Sequence, residues 1–512
     1  MQDRLRQTAG AAAHQSDINE ALPAHKVAAG RSLVLWACLI ATFMTSIEST
    51  IISTTLPTIV GELGGFDLFS WVFTIFLLTQ AVSIPIYGRL ADMFGRKSVF
   101  FTGVGLFMIG SLLCGFAWGM VPLICFRAIE GLGAGAVQPI TATILGDIYT
   151  PAERAKVQGL VSSVFGVSAI LGPSIGAFLI LHMSWSMVFW IKIPFGLLAA
   201  LMVGVFLKET AKPRRRSIDW IGAVLTFLTA GGLILALVEG GQFTAVALGV
   251  VLAITAAAAL LLILHESTTR EPMLPFELWR HSRIIVVGSL GGCAAGAMMM
   301  GITAYLPAYV QGAMGFSALT GGIVLGAMSI SWSLASVFGA RIMVRTSYRL
   351  VAIWGGLALV AGCGVLILSP PEAGPLFTAL GSFIVGIGLG FCMSVFIVSI
   401  QASVPWNQRG AATSSTMFLR FMGQVTGVSG CGAVLNATIR HLDPSAAQSI
   451  DQMLDPVSRA ALDPVELSHL QSVVASGLHN AWLLAGALSL IALLFCCLMP
   501  AGLNPRSHAA QS

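Results

Sequence analysis

Apolar residues in this chain come in long unbroken blocks instead of alternating with polar ones. Runs of about 20, enough for a helix to cross roughly 30 Å of hydrocarbon, fall at 33–58, 69–90, 99–118, 121–146, 158–181, 186–207, 219–238, 245–265, 284–311, 320–343, 350–368, 376–400, 412–436 and 480–500. The pattern predicts an all-α polytopic membrane protein with fourteen spans. The connections are short except at 437–479, where Asp443, Asp451, Asp455 and Asp463 have no EF-hand spacing and a mobile cap is expected. About 30 polar residues precede the first run without a small-residue cleavage site, which reads as an uncleaved, disordered tail.

Composition agrees with the pattern. The chain is 56% hydrophobic and 10% charged, with a mean hydropathy of +0.87, against about 25% charged in soluble domains. Placing the N-terminus inside puts 22 of the 27 basic residues in inside segments, two outside (Arg440 and Arg459) and three within spans (Arg127, Lys192 and Arg420). This bias predicts that both termini are cytoplasmic. The net charge of +5 then reports orientation, and no aromatic-interleaved basic stripe suggests a nucleic-acid partner. All nine cysteines fall in predicted spans, which argues against a disulfide framework or a metal site. No GxxxxGK[ST] loop, His-rich cluster or G-x-S-x-G nucleophile motif is present, so neither a nucleotide-driven pump nor a membrane enzyme is expected.

The chain also repeats itself. Pro57 in "TLPTIVG" aligns with Pro307 in "YLPAYVQG" at an offset of 250, and Gly88 with Gly339 at 251. "IEGLGAG" from Ile129 aligns with "IVGIGLG" from Ile384, and Arg154 with Arg409, both at 255. A duplicated six-helix unit with two helices inserted between the copies accounts for these offsets. The expected organisation is a cytoplasmic tail 1–32, a six-helix bundle 33–207, an inserted helix pair with linkers 208–282, a second six-helix bundle 283–500 containing the outer loop 437–479, and a cytoplasmic tail 501–512. The inserted pair has no mid-span charge and is expected to be peripheral.

Ionisable groups in hydrocarbon are costly and are candidates for function. Of 22 acids only Glu48 and Glu130 lie well inside spans, and their repeat positions are Met298 and Val385. A proton carrier must gain and lose its proton near physiological pH, as a desolvated carboxylate can. Glu48, with no basic residue in its own helix, suits that role. Glu130 follows Arg127 by three positions, so the two share a helix face and either neutralise each other or couple protonation to substrate. Arg420, with no mid-span acid in its half, is expected to face a cavity. Tyr305, Tyr309, Gln311, Trp332, Phe391 and Phe418 are candidate cavity residues for a lipophilic ligand. Gly172-Pro173 permits a kink and close helix contact.

Four segments together resemble the major facilitator superfamily, and specifically its fourteen-span drug:proton antiporter branch. "GRLADMFGRK" (Gly88 to Lys97) is similar to the family's signature loop, with Gly88, Asp92, Gly95 and Arg96 in place. "RAIEGLGAGAVQP" (Arg127 to Pro139) resembles the fourth-helix motif. "GLVSSVFGVSAILGPSIGA" resembles the fifth-helix antiporter motif and retains Gly159, Gly172, Pro173 and Gly176. "SIESTIISTTLPTIVGELG" (Ser46 to Gly64) is similar to the branch's first-helix motif. The chain departs from the pattern with Glu48 for Asp, Glu130 for Gln, Ser168 and Ala177 for glycines, and Lys192 for a frequent Asn, a lysine for which the resemblance supplies no role. The resemblance implies a multidrug exporter in the bacterial inner membrane, working by alternating access and driven by protons, with no cofactor. Its partners would be a lipophilic small molecule, protons, membrane lipids and a periplasmic adaptor. A dedicated exporter of one metabolite, siderophore or antibiotic, or a non-transporting membrane sensor, are the alternative readings.

Overall fold

In the computed structural model, residues 30–149, 151–207, 219–269, 279, 282–404, 409–454 and 456–500 are described. The N-terminal tail expected to be disordered and the C-terminal tail therefore lie almost wholly outside the described residues, as do most of the linkers around the inserted pair and Asp455 of the outer segment. Among the described residues fourteen long helices follow one another: α1 Arg31–Leu63, α2 Phe69–Phe94, α3 Arg96–Gly115, α4 Met120–Ile148, α5 Pro151–His182, α6 Met187–Phe206 (irregular at Ile191), α7 Trp220–Glu239 and α8 Ala245–Thr268. They continue with α9 Arg283–Ala308, α10 Ala318–Arg345, α11 Tyr348–Ile367, α12 Gly374–Ser403, α13 Arg409–Leu442 and α14 Pro464–Leu498. A π-helical turn, Tyr309–Ala313, extends α9. The protein is a multi-pass membrane protein, with six helices, an inserted pair and six more.

Among the described residues, thirteen of these helices are long and apolar enough to cross a membrane. The exception is α13, whose buried face carries Ser415, Thr416, Gln424, Ser429 and Asn436. Neighbouring helices satisfy this polarity. Thr416 shares a hydrogen bond with Ser289 at 3.1 Å and Ser429 one with Thr74 at 2.8 Å, while Asn436 donates to the Asp67 carbonyl at 3.0 Å. A helix walled by protein instead of lipid can afford a polar surface.

The face carrying Arg31, Arg96 and Arg345 is called the basic face below. Here Gly95, at φ +91°, turns the chain sharply from α2 into α3, a backbone conformation that a side chain would strain. Arg96 pairs with Asp147 at 3.0 Å, and Lys97 donates to the Gly204 and Leu207 carbonyls at 2.6 and 3.3 Å, capping the negative end of α6. Arg31 binds Glu153 and lies 4.1 Å from the Tyr149 ring centre.

On the opposite face the long connection differs from the expected mobile cap. α13 runs to Leu442 and α14 starts at Pro464, so the loop predicted at 437–479 shrinks to about 20 residues, within which Ala446–Leu454 is helical. Polar contacts such as Asn480 to Thr438 at 3.0 Å let both long helices project beyond their apolar runs. The short helix buries Ala446, Ile450 and Met453 and points the Asp451 carboxylate at the Gly65 and Phe66 amides, 2.9 and 3.0 Å away. Burial pushes that carboxyl above its ordinary range against the pull of the two donors. Gln311 donates to the Thr54 carbonyl at 3.0 Å, and Tyr305 stacks on Phe69 with ring centres 5.3 Å apart. The first and last six helices are thus joined on this face.

The inserted pair packs on itself and, through α7, against α2 and α13. Trp71 donates to Glu239 at 2.8 Å, and Asp219 closes the base of the hairpin by binding the Gly222 amide at 2.8 Å and His265 at 2.7 Å.

Close helix contact positions the interior of the first bundle. A Cβ added at Gly110 would sit 2.4 Å from the Glu130 amide nitrogen, whereas one added at Gly105 meets nothing within 4 Å. Gly110→Ala is expected to lower stability by about 1–3 kcal/mol, while Gly105→Ala stays within about 0.5 kcal/mol. Thermal unfolding of the two purified variants checks this, and equal melting of both contradicts the α3–α4 packing.

Candidate functional site

α1 brings a run of hydroxyl side chains into the membrane, most of which bond to carbonyls of their own helix, Ser46 Oγ being buried without a partner among the described residues. Thr42 donates to the Cys38 carbonyl at 2.8 Å, Thr50 to Ile47 at 3.0 Å, Ser53 to Thr50 at 3.0 Å and Thr55 to Ile51 at 2.7 Å. Among them sits Glu48, fully buried. Opposite it, α4 presents Arg127 and Glu130 one turn apart, and the first residue of the longer part of α6 is Lys192.

These four side chains form a closed square. Arg127 Nη1 donates to Glu48 Oε1 and, at 2.8 Å, to Glu130 Oε2. Lys192 Nζ donates to Glu48 Oε2 and, at 2.7 Å, to Glu130 Oε1. All four are at most 1% exposed. Two carboxylates and two cations leave no net charge, and each carboxylate oxygen has a charged donor. Aromatic rings flank the cations: the Arg127 guanidinium lies 4.1 Å from the Phe76 ring centre, and Lys192 Nζ lies 4.9 Å from that of Phe189. Arg127 Nε donates to the Val72 carbonyl at 3.2 Å, tying the square to α2.

The i,i+3 pairing of Arg127 with Glu130 is present as expected from spacing. Glu48, which has no basic residue near it in its own helix, is held by cations from two other helices. Lys192 completes the square and had no role in the sequence reading. Its signal was a tally of embedded charges, two acids against three cations, which called for a partner for each acid.

The fifth-helix segment supports this arrangement. A Cβ at Gly172 would fall 2.1 Å from Thr50 Oγ1, and one at Gly176 would fall 2.8 Å from Thr55 Cγ2, so both glycines bring α5 against α1 two turns or less from Glu48. Pro173 points the other way, and a Cβ at Gly322 of α10 would meet its Cβ at 2.7 Å. Gly159 lies in α5 and Gly88 in α2 with open space around it, while the surroundings of Gly159 and the side chain of Asp92 lie outside the described residues.

The proposed cavity residues do not converge in the same way. Tyr305 donates to the Val428 carbonyl at 3.2 Å, and Gln311 belongs to the junction with α1. Tyr309 donates to the Ser369 carbonyl at 2.5 Å and borders a cleft of about 740 Å³ on the face opposite the basic one, shared with His441, His479 and Asn480. Phe391 packs among α10, α11 and α12, Phe418 is buried, and Trp332 is partly buried against the core. Arg420 lies apart from the square, in a narrow cleft between α12 and α13.

The Major Facilitator Superfamily profile matches residues 38–428. The chain is 32% identical over 410 residues to the multidrug transporter protein MdtP of Bacillus subtilis (strain 168), an alignment covering 80% of this chain and 76% of the relative. It is also 32% identical over 409 residues to multidrug resistance protein 3 of the same organism, covering 79% and 80%. Among solved structures, the inward-facing, unoccupied form of a bacterial homolog of the human lysosomal transporter Spinster has the same fold, at TM-score 0.69 and 17% identity, covering 93% of this chain and 98% of that one. With its helical architecture and a family match across most of its length, this chain belongs to the major facilitator superfamily and is a membrane transporter.

Proposed function

We propose that the protein exports amphipathic compounds in exchange for protons by alternating access. It would sit in the cytoplasmic membrane of a bacterium with its basic face and both termini inside. The observation that carries the reading is the buried, charge-neutral square of Glu48, Arg127, Glu130 and Lys192. The two relatives, a multidrug transporter protein and a multidrug resistance protein, support the substrate type.

In this reading the square is a proton-operated switch. A proton on Glu48 turns the carboxylate into a neutral acid and leaves an uncompensated positive charge in a medium where charge is poorly screened. Arg127 and Lys192 then hold to Glu130, and α1 is released from α4 and α6. α1 meets α5 through Gly172 and Gly176, and Pro173 of α5 meets Gly322 of α10, so movement of α1 bears directly on the contact between the two bundles. Deprotonation towards the other side restores neutrality and resets the square. A membrane potential of about 100 mV supplies about 2.3 kcal/mol per charge moved, so no cofactor is needed.

Glu48→Gln keeps the size of the side chain and removes its titration. In liposomes with an imposed pH gradient and at matched protein content, dye-induced proton movement is expected in the wild type and lost in the variant. Transport surviving both the substitution and collapse of the gradient overturns proton exchange. Loss in Glu130→Gln alone moves the proton to Glu130.

The role of Lys192 has a separate consequence. Lys192→Met leaves two carboxylates facing one cation and is expected to cost about 3–5 kcal/mol of stability. Combining it with Glu130→Gln restores neutrality and should recover more than half of that loss. Thermal unfolding in detergent reads both, and a Lys192→Met variant that melts with the wild type removes the lysine from the square.

A further inference from the structure

On the face opposite the basic one, the connection between α13 and α14 does more than close a loop. Its helix Ala446–Leu454 packs on α1 and the α1–α2 turn, which belong to the first bundle, and on α14 and the π-helical turn Tyr309–Ala313, which belong to the second. A Cβ on Gly312 would fall 3.4 Å from Leu454 Cδ2 and 3.6 Å from Met453 Cε, so the helix rests closely on the π-helical turn. Asp451 ties it to the first bundle by accepting from the Gly65 and Phe66 amides at 2.9 and 3.0 Å. Gly64 and Gly65, at φ +71° and +83°, turn the chain so that these consecutive N–H groups converge on one carboxylate. Further along the connection, Arg459 donates to the Gln311 carbonyl at 3.1 Å, and Gln311 in turn donates to the Thr54 carbonyl of α1 at 3.0 Å.

Alternating access needs the outer ends of the two bundles to part. The Asp451 carboxylate is carried by the second bundle and its two amides by the first, so this tie has to break in every outward opening. Hydrogen bonds to a carboxylate are stronger than neutral ones, which makes the tie a substantial share of what opening must overcome. The same movement separates contacts that the connection does not touch, the hydrogen bond of Thr74 with Ser429 at 2.8 Å and the stacking of Phe69 on Tyr305. Resting on the alternating-access reading above, we propose that the helix Ala446–Leu454 is a latch on the outer gate, with Asp451 as its catch, and that the strength of the catch sets how much of the time the protein is open to the outside. A latch differs from a packed loop in one respect: releasing it loosens the distant contacts between the bundles as well as its own.

The test is hydrogen–deuterium exchange of the full-length protein in phosphatidylcholine nanodiscs, followed by mass spectrometry at one pH, without substrate or gradient. In the wild type, the α1–α2 turn and the outer parts of α2 and α13 around Thr74 and Ser429 are expected to exchange together. Asp451→Ala should raise exchange about tenfold or more in all three segments and leave the α3–α4 contact at Gly110, inside the first bundle, unchanged. Arg459→Met removes the other tie of the same connection and should act in the same direction, so it decides the matter if Asp451→Ala fails to fold. A rise confined to the connection and the α1–α2 turn, or no rise at all, overturns the proposal and makes the helix a packed loop. A rise that includes the α3–α4 contact overturns it too, as general loosening, and so does a wild type whose α1–α2 turn exchanges far faster than α2 and α13. No proton movement enters this measurement, so a failure of proton exchange appears only in the dye assay and a failed latch only here.

Discussion

A carboxylate cannot remain ionised alone in hydrocarbon, and the interior of the first bundle is organised around that constraint. Glu48, Glu130, Arg127 and Lys192 come from α1, α4 and α6, so keeping the group neutral fixes the mutual position of three helices at once. Ion pairs in a medium of low dielectric reward close geometry and punish separation. The side chains reach one another because the backbones come close elsewhere. Gly110 admits the backbone of Glu130 against α3, and Gly172 admits Thr50 against α5. The small residues are therefore part of the charge arrangement, although none carries a charge.

The same rule operates at lower stakes along the rest of the membrane interior. Most hydroxyl groups on α1 return to carbonyls one turn back in their own helix, so a polar sequence leaves little unsatisfied, Ser46 being the exception among the described residues. On α13 the partners belong to other helices: Ser289 on α9, Thr74 on α2 and the Asp67 carbonyl beyond α1. That polarity is why α13 falls below the hydropathy of the other thirteen helices, and why it stands between α9, α14 and α2 instead of facing lipid.

What could be read from the sequence follows from how far apart the interacting residues are. Spans are local runs, and their positions were legible to within a few residues for most helices. The Arg127–Glu130 pair lies within one turn and was legible for the same reason. Lys192 meets Glu130 and Glu48 across 62 and 144 residues, and no periodicity connects them. Apolar runs also underestimate helices that leave the membrane, so α14 begins sixteen residues before its predicted span, at a polar stretch that packs on its neighbours. The aromatic residues Tyr305, Tyr309 and Phe391 were legible as inward-facing, but which neighbour each would meet depended on helix rotation, which composition does not encode. They found packing and carbonyl partners instead of a common cavity.

A buried square of charges is a poor device for stability alone, because apolar side chains of similar volume commonly hold a core as well or better. What apolar side chains cannot provide is a state whose energy changes when a single proton arrives. The symmetry of the square matters here. With each cation shared by both carboxylates, neutralising either acid would leave the other in contact with both cations, so the resulting net positive charge would be shared between two cations held by one carboxylate. Had the family's frequent asparagine stood at position 192, Glu48 and Glu130 would have competed for Arg127 alone, and one carboxylate would have needed a proton or a cationic ligand at all times. The lysine removes that standing demand. Among the described residues it leaves neither embedded acid of the first bundle without a second cation.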